Sequence, residues 1–201
     1  MGNNMADLEM LERSLKERGF GYAYFTTREE AAEYLDGKID GTTVGMGGSV
    51  TMQELGLYDK LCRHNTVFWH HRGGSVADAN KAEVYLSSLN GLAETGECIN
   101  IDGTGNRVSA GTYGPKRVYY VVGLNKVAPD FESALWRARN IASPKNALRL
   151  GVKTPCVKHG GDKCYDCKSP ERICRALLVL WEKPRSQEET EIVVVGEELG
   201  F

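Results

Sequence analysis

The sequence predicts an α/β domain built on a largely parallel sheet. Short apolar stretches alternate with amphipathic ones along the whole chain, as strands alternate with helices in βαβ units. The run Val118-Tyr119-Tyr120-Val121-Val122 is almost continuously apolar, which is typical of a strand buried on both faces. A chain of 201 residues is long enough for one substantial core. We therefore expect residues 1–201 to form a single domain.

The first half of the chain is predicted to begin with a helix over residues 6–18. Leu8, Leu11 and Leu15 recur there at helical spacing among charged residues, and Gly19 follows. The pattern next predicts strands at 22–25, 42–44 and 67–69. It predicts helices from Thr26 or Thr27 to about Gly37, at 51–62 and at 77–85.

The second half repeats the alternation. Strands are predicted at 97–101, 118–122, 176–181 and 192–195. A helix is predicted from Pro129-Asp130 to about Ile141, ending near Pro144, because proline commonly marks the end of a helix.

Composition argues against two classes of protein. The 25 basic and 27 acidic residues give a net charge of −2, without the basic excess of a general nucleic-acid binder. No apolar run approaches the ~20 residues that a membrane span needs. The first ten residues, MGNNMADLEM, show no basic and apolar leader pattern. We expect a cytoplasmic protein, with a homodimer as the default assembly.

A glycine-rich loop between a predicted strand and helix is the first candidate site. Glycines bring backbone N–H groups close to an anion, and hydroxyl groups add donors. The candidate ligand-binding residues here are Gly45, Gly47, Gly48, Ser49 and Thr51. The spacing fits neither GxGxxG nor a Walker motif, so a turn and helix cap without a ligand is an equally open interpretation.

A second polar loop follows the predicted strand at 97–101, where an acid, two glycines, an amide and a guanidinium lie close together. Its candidate residues are Asp102, Gly103, Thr104, Gly105, Asn106 and Arg107. Lys126 follows the most apolar strand and is expected at the same sheet edge. Ordinary turns would explain the same dipeptides.

Three residues are candidates for acid–base catalysis: Glu54, Asp102 and Lys126. Helix capping alone would also explain a glutamate at position 54, in the first turn of a predicted helix. His70 and His71 are adjacent, so on a strand their side chains would point to opposite faces, and neither is expected to be catalytic.

Four of the six cysteines fall within 19 residues, as Cys156, Cys164, Cys167 and Cys174. This clustering predicts a four-cysteine metal site in a segment spanning residues 151–175. The segment carries six basic and three acidic residues, a local charge that offsets thiolate charge. Uneven spacing favours a [4Fe–4S] cluster, with zinc as the alternative. Structural disulfides and a redox dithiol at Cys164 and Cys167 are the other interpretations.

The sequence resembles the lactate-utilization (LUD) domain family. The resemblance rests on four runs in the same order: VGMGGSVTMQELGL, SSLNGLAETGECINIDGTGNR, GPKRVYYVVGLNKV and SPKNALRL. It implies a three-layer α/β/α fold like that of ribose-5-phosphate isomerase, glucosamine-6-phosphate deaminase and the CoA transferases. In those relatives, glycine-rich loops at the sheet's carboxyl edge hold phosphate or acyl groups.

The resemblance also implies a function. Better-characterised family members belong to iron–sulfur systems that oxidise lactate to pyruvate, so we expect a small anionic metabolite and other iron–sulfur subunits as partners. The isomerase catalytic segment is only half present, since Asp102-Gly103 has no KGGG-type loop after it. An enzyme acting on a sugar phosphate or acyl-CoA stays open, as does a non-catalytic binding or assembly module.

Overall fold

The computed structural model describes residues 6–201. The first five of the ten residues searched for a leader pattern lie outside this range. Ten strands form within this range. They are β1 (Gly21–Phe25), β2 (Thr43–Met46), β3 (Thr66–Trp69), β4 (Val84–Ser87), β5 (Gly91–Ala93), β6 (Cys98–Asp102), β7 (Arg117–Gly123), β8 (Val127–Ala128), β9 (Ala176–Leu180) and β10 (Glu189–Val195).

The same range forms nine α-helices. They are α1 (Leu8–Glu17), α2 (Arg28–Lys38), α3 (Val50–Leu55), α4 (Tyr58–Leu61), α5 (Val76–Lys81), α6 (Asn106–Ala110), α7 (Phe131–Arg137), α8 (Ser143–Leu150) and α9 (Pro155–Lys158). None of the helices within residues 6–201 is both long and apolar enough to cross a membrane.

Six strands form the central sheet in the order β1-β10-β7-β4-β2-β3, and every pair is parallel. β7 and β10 are interior strands with a partner on each side, which explains their continuous apolar runs. Along β7, Tyr119 and Val121 pack into the core on one face, and Val118 and Tyr120 pack into the core on the other. All four are fully buried.

Helices cover both faces of this sheet, which confirms the predicted three-layer α/β/α fold. On one face α2, α3 and α4 bury Leu35, Met52 and Leu61. On the other face α1 buries Leu11 and Leu15 next to α5 and α6.

A second, smaller sheet packs on the α1 side. Its order is β8-β5-β6-β9, and its pairings are antiparallel except between β5 and β8. Leu92 and Cys98 face the central sheet, while Ile99 and Ile101 face α7. The sequence pattern did not predict β5 or β8, which have only three and two residues.

One predicted helix is wrong in part. The stretch 77–85 was expected to be helical, but α5 ends at Lys81 and β4 begins at Val84. All four β4 residues are buried, because this strand lies between β2 and β7. In a run of only four apolar or small residues, the sequence pattern does not distinguish a buried strand from a buried helix.

The helix predicted to end near Pro144 continues to Leu150. A π-helical turn at Ala138–Ala142 joins α7 to α8, and the backbone keeps helical angles throughout. The Ser143 hydroxyl donates to the Ala138 carbonyl at 2.9 Å. This wider turn explains how Pro144, which has no N–H, is accommodated within a continuing helix.

Candidate functional site

The carboxyl ends of the parallel strands open onto one cleft. The loop after β2 carries Gly48 and Ser49, and the turns after β4 and β7 carry Ser88 and Lys126. The Trp69 indole holds the first loop by donating to the Gly47 carbonyl at 3.1 Å. This sheet edge is where ligands bind in open parallel α/β sheets.

The cleft has two connected lobes. The inner lobe has a volume of about 40 Å³ and lies around Lys126, Thr51 and Ser88. The outer lobe has a volume of about 270 Å³ and lies beside the predicted Asp102 loop. The two lobes share a set of lining residues: Gly48, Asn90, Arg107, Ala142, Asn146 and Arg149.

The cleft is cationic. Arg107 and Arg149 line it with positive charge, Lys126 adds a third charge when it is protonated, and one carboxylate, Asp102, faces them. Arg149 is exposed, and among residues 6–201 its guanidinium bonds only to the Asn146 amide oxygen, at 3.0 and 2.9 Å. Its charge is therefore available to an anionic ligand.

The carboxylate of Asp102, a catalytic candidate from the sequence, is bound to the backbone of its own loop. Its carboxylate accepts from the backbone N–H of Gly103 at 2.8 Å and of Arg107 at 2.9 Å. A third backbone donor, Val108, lies at 3.4 Å. The carboxylate thus organises the loop that begins α6, which leaves little capacity for substrate.

Lys126 lies at the floor of the inner lobe with only 3% of its surface exposed. Its Nζ donates to the Thr51 hydroxyl at 2.7 Å and the Ser88 hydroxyl at 3.0 Å. Burial lowers the pKa of Lys126 to about 7, and the nearby charges of Arg137 and Arg107 act in the same direction. Near neutral pH, a large fraction of this side chain is the uncharged amine.

His70 and His71 line the outer lobe together, which corrects the prediction that they point to opposite faces. They lie in a 3-10 turn after β3, and their ring centroids are 4.3 Å apart. A Cβ at Gly48 would lie 3.1 Å from Nε2 of His70 and 3.5 Å from Nε2 of His71. Glycine at position 48 therefore leaves room for both rings.

Three predicted ligand-binding glycines and the catalytic candidate Glu54 lie outside the lining. Gly45 and Gly47 pack behind the cleft, against the Ala79 carbonyl and the Ser87 hydroxyl respectively. Gly105 has a positive φ of +93° and turns the chain before α6. Glu54 is exposed, and its carboxylate accepts from the Gly200 N–H at 2.7 Å. The remaining candidates do come together: Gly48, Ser49, Thr51, Asp102, Gly103, Thr104, Asn106, Arg107 and Lys126.

Sequence reasoning missed Asn90, Asn146 and Arg149 as cleft residues. Asn146 and Arg149 are three residues apart on α8, so they share a helix face. Both lie in SPKNALRL, a run that contributed to the family resemblance without being assigned a role. Asn90 precedes the unpredicted strand β5.

The four clustered cysteines line one small cavity of about 20 Å³. Pro144, Ala147 and Ile173 supply its apolar wall. The Asp166 N–H donates to the Cys164 sulfur at 3.4 Å, and Arg139 approaches the same sulfur at 3.9 Å. Such donors are the kind that stabilise thiolate charge.

The cysteine segment has no hydrophobic core of its own. No residue from 155 to 175 is buried, and after α9 the chain forms no helix or strand before β9. Ordering each residue costs about 1–2 kcal/mol of conformational entropy, so a long ordered loop needs another source of stability. Across residues 6–201, no three histidine, cysteine, aspartate or glutamate side chains converge closely enough to hold a single metal ion.

The cysteine cavity and the cleft share a wall. Ser143, Ile173 and Cys174 line both the outer lobe and the cysteine cavity. The Arg175 N–H donates to the Asp102 carbonyl at 2.9 Å. A Cβ at Gly103 would lie 2.6 Å from the Ile173 carbonyl oxygen, so the two loops are in close contact.

Comparison with known proteins agrees with the fold and the sequence motifs. The family model described as LUD domain matches residues 8–195. No curated protein matches the chain. A crystal structure of a DUF162 family protein from Deinococcus radiodurans, at 1.70 Å resolution, superposes with a TM-score of 0.53 at 15% identity. The match covers 94% of this chain and 95% of the Deinococcus chain.

Proposed function

We propose, because this chain belongs to the LUD domain family and is thus lactate-utilization-related at the family level, that it takes part in oxidising a 2-hydroxy acid such as lactate. In this proposal the cleft holds the small carboxylate, and the four cysteines hold an iron–sulfur cluster. The observation that carries the proposal is the wall that the cationic cleft shares with the four-cysteine cavity.

The cleft suits a small carboxylate. Arg107 and Arg149 supply charge at the junction of the two lobes, and Asn90 and Asn146 supply amide groups beside them. An inner lobe of about 40 Å³ holds a few atoms, since one water molecule needs about 10–15 Å³ on this measure. The inner lobe therefore favours a compact ligand over a bulky one.

The four cysteines supply the chemistry that an iron–sulfur cluster requires. Cys156, Cys164, Cys167 and Cys174 are free thiols around one cavity, with a net positive segment about them. Cysteine thiolates are the usual ligands of [4Fe–4S] clusters, which supply one-electron transfer when bound. A single zinc ion would need the four sulfurs about 3.8 Å apart, given Zn–S bonds near 2.3 Å. Zinc is the second candidate.

Metal analysis of full-length protein purified without oxygen tests the cluster. We expect a broad absorption band near ~400 nm and about four irons per chain. Cys164→Ser should lose most of the iron, whereas Cys62→Ser, which changes an exposed cysteine outside the segment, should retain it. A colourless protein with one zinc per chain would contradict the cluster and support the zinc alternative.

Ligand titration of the same protein tests the cleft. Lactate and pyruvate should bind, and Arg149→Met should weaken binding about 10-fold or more, because hydrogen bonds to charged groups contribute about 1.5–3 kcal/mol. Arg185→Met is the matched control, since Arg185 is exposed in the turn before β10. Tight binding of ribose 5-phosphate or an acyl-CoA instead would favour the alternative enzyme.

The proposal also covers location and assembly. A cytoplasmic setting would keep the four thiols reduced for metal binding. Light scattering should give the mass of a homodimer, and pull-down from a lactate-grown culture should recover other iron–sulfur subunits. A monomer that recovers none of them would contradict this part of the proposal and favour a self-contained module.

A further inference from the structure

Lys126 differs from an ordinary anion-binding lysine in its partners. Its Nζ bonds to two hydroxyl groups, at 2.7 and 3.0 Å, and within residues 6–201 no carboxylate oxygen lies within 4.0 Å of it. Lysines are almost never this buried without a charged partner. The side chain is nonetheless at the edge of a cavity, which makes Nζ accessible to a ligand of the inner lobe.

A second cation lies behind it. Arg137 is 8% exposed, and its guanidinium donates to the main-chain oxygens of Asn125, Asn90 and Phe201 at 2.8, 2.6 and 3.3 Å. Burial lowers the pKa of Arg137 to about 10. A desolvated lysine next to another cationic group is a known arrangement for an amine that attacks carbonyl carbons.

We propose that Lys126 forms an imine with a small 2-oxo acid, such as pyruvate, held in the cleft. This inference rests on the proposed function, because it assumes that the cationic cleft binds a small carboxylate. Arg107 and Arg149 hold the carboxylate at the junction of the lobes, while the adjacent carbonyl carbon enters the inner lobe next to Nζ.

The step balances without an oxidant or reductant. The Nζ lone pair forms a bond to the carbonyl carbon, and the carbonyl π electrons move to oxygen. The two protons of the neutral amine pass to that oxygen, the C–O bond breaks, water leaves, and a C=N bond remains. The Thr51 and Ser88 hydroxyls lie within hydrogen-bond distance of Nζ and can relay these protons.

Borohydride trapping on full-length protein tests the imine. The protein is incubated with pyruvate and sodium cyanoborohydride, which reduces an imine to a stable secondary amine, and is then analysed by intact mass and peptide mapping. We expect one adduct per chain on Lys126. Lys126→Arg, which keeps the charge, should abolish it, whereas Lys145→Arg, an exposed lysine on α8, should leave it unchanged.

Ligand binding measured in parallel separates this inference from the proposed function. Binding of pyruvate without an adduct on Lys126 would overturn the imine and leave the anion site standing. If pyruvate neither binds nor gives an adduct, both the imine and the proposed anion site are overturned. Adducts spread over surface lysines, or trapping of ribose 5-phosphate but not pyruvate, would also overturn the assignment. Protection of Lys126 from pyruvate by lactate, which has a carboxylate but no ketone, would support it.

Discussion

Cationic side chains have different partners at the two edges of the central sheet. The amino edge is where the parallel strands begin, and the carboxyl edge is where they end. At the amino edge, the Lys38 amine bonds to Glu189 at 2.7 Å and Glu191 at 2.9 Å. At the carboxyl edge, the Lys126 amine donates to two hydroxyl groups, and the Arg137 guanidinium donates to main-chain oxygens. The first arrangement satisfies charge for stability, whereas the second leaves positive charge for a ligand to neutralise.

His64 gives a pH-dependent contribution to stability at the amino edge. Its ring nitrogens lie 3.0 Å from Asp36 and 2.9 Å from Asp40, and these carboxylates raise the pKa of His64 above its usual value of 6.5. The stabilisation is therefore complete below pH 6.5 and is lost as pH rises through the raised pKa. Urea unfolding over a pH series should show this loss in the wild type and not in His64→Asn. If the free energies of unfolding of the wild type and His64→Asn change with pH in parallel, this role of His64 is wrong.

Lys126 makes the free energy of unfolding depend on pH in the opposite direction. Its folded-state pKa of about 7 is below the unfolded value near 10.5, so keeping it buried costs most below pH 7. Lys126→Met should therefore stabilise the protein most at acidic pH, and this gain should shrink as pH approaches 10.5. Each pKa unit corresponds to about 1.4 kcal/mol. A pH-independent difference in the free energy of unfolding would contradict this environment for Lys126.

At the scale of elements, the same glycine-to-alanine substitution at two positions tests the contact between the Asp102 loop and the cysteine segment. Gly103 abuts the Ile173 backbone, whereas a Cβ at Gly37 in α2 would meet nothing within 4 Å. Gly103→Ala should cost about 1–3 kcal/mol through overpacking and should lower both metal content and anion affinity. Gly37→Ala should stabilise by up to about 1 kcal/mol, because glycine is unfavourable inside helices. Urea unfolding measures both changes, and equal effects would contradict the close contact.

The elements that sequence reasoning predicted well were those with a long, one-sided pattern. The leucines of α1 and the apolar run of β7 determine their own structure. Val84–Ser87 could not be separated from the preceding helix, because its burial depends on neighbours distant in sequence. Pro144 predicted a helix end, and only the π-helical turn before it explains why the helix continues.

The site was predictable where it lay directly after a strand. Gly48, Ser49, Asp102 and Lys126 were found that way. Arg149 was not, because it reaches the cleft from the last turn of α8, and the sequence contains no signal for that packing. His70 and His71 were misjudged because a turn, rather than a strand, follows Trp69.

At the scale of the whole molecule, stability is concentrated in the central sheet. Ile192 on β10 is fully buried, while Leu177 on the edge strand β9 is 51% exposed. Ile192→Ala should cost about 2–5 kcal/mol, the usual range for a buried large-to-small change. Leu177→Ala should change stability by less than about 0.5 kcal/mol. Comparable losses in urea unfolding would contradict this distribution.

The position of β10 sets the order of events during synthesis. β10 lies between β1 and β7, and Gly21 of β1 pairs with Glu191 at the far end of the chain. At about 5–20 residues per second, β1 waits on the order of ten seconds or more for its partner to leave the ribosome. The cysteine segment emerges before β10, so its four thiols are exposed to solution while the sheet is still open. Closure of the central sheet therefore comes after synthesis of the cysteine segment.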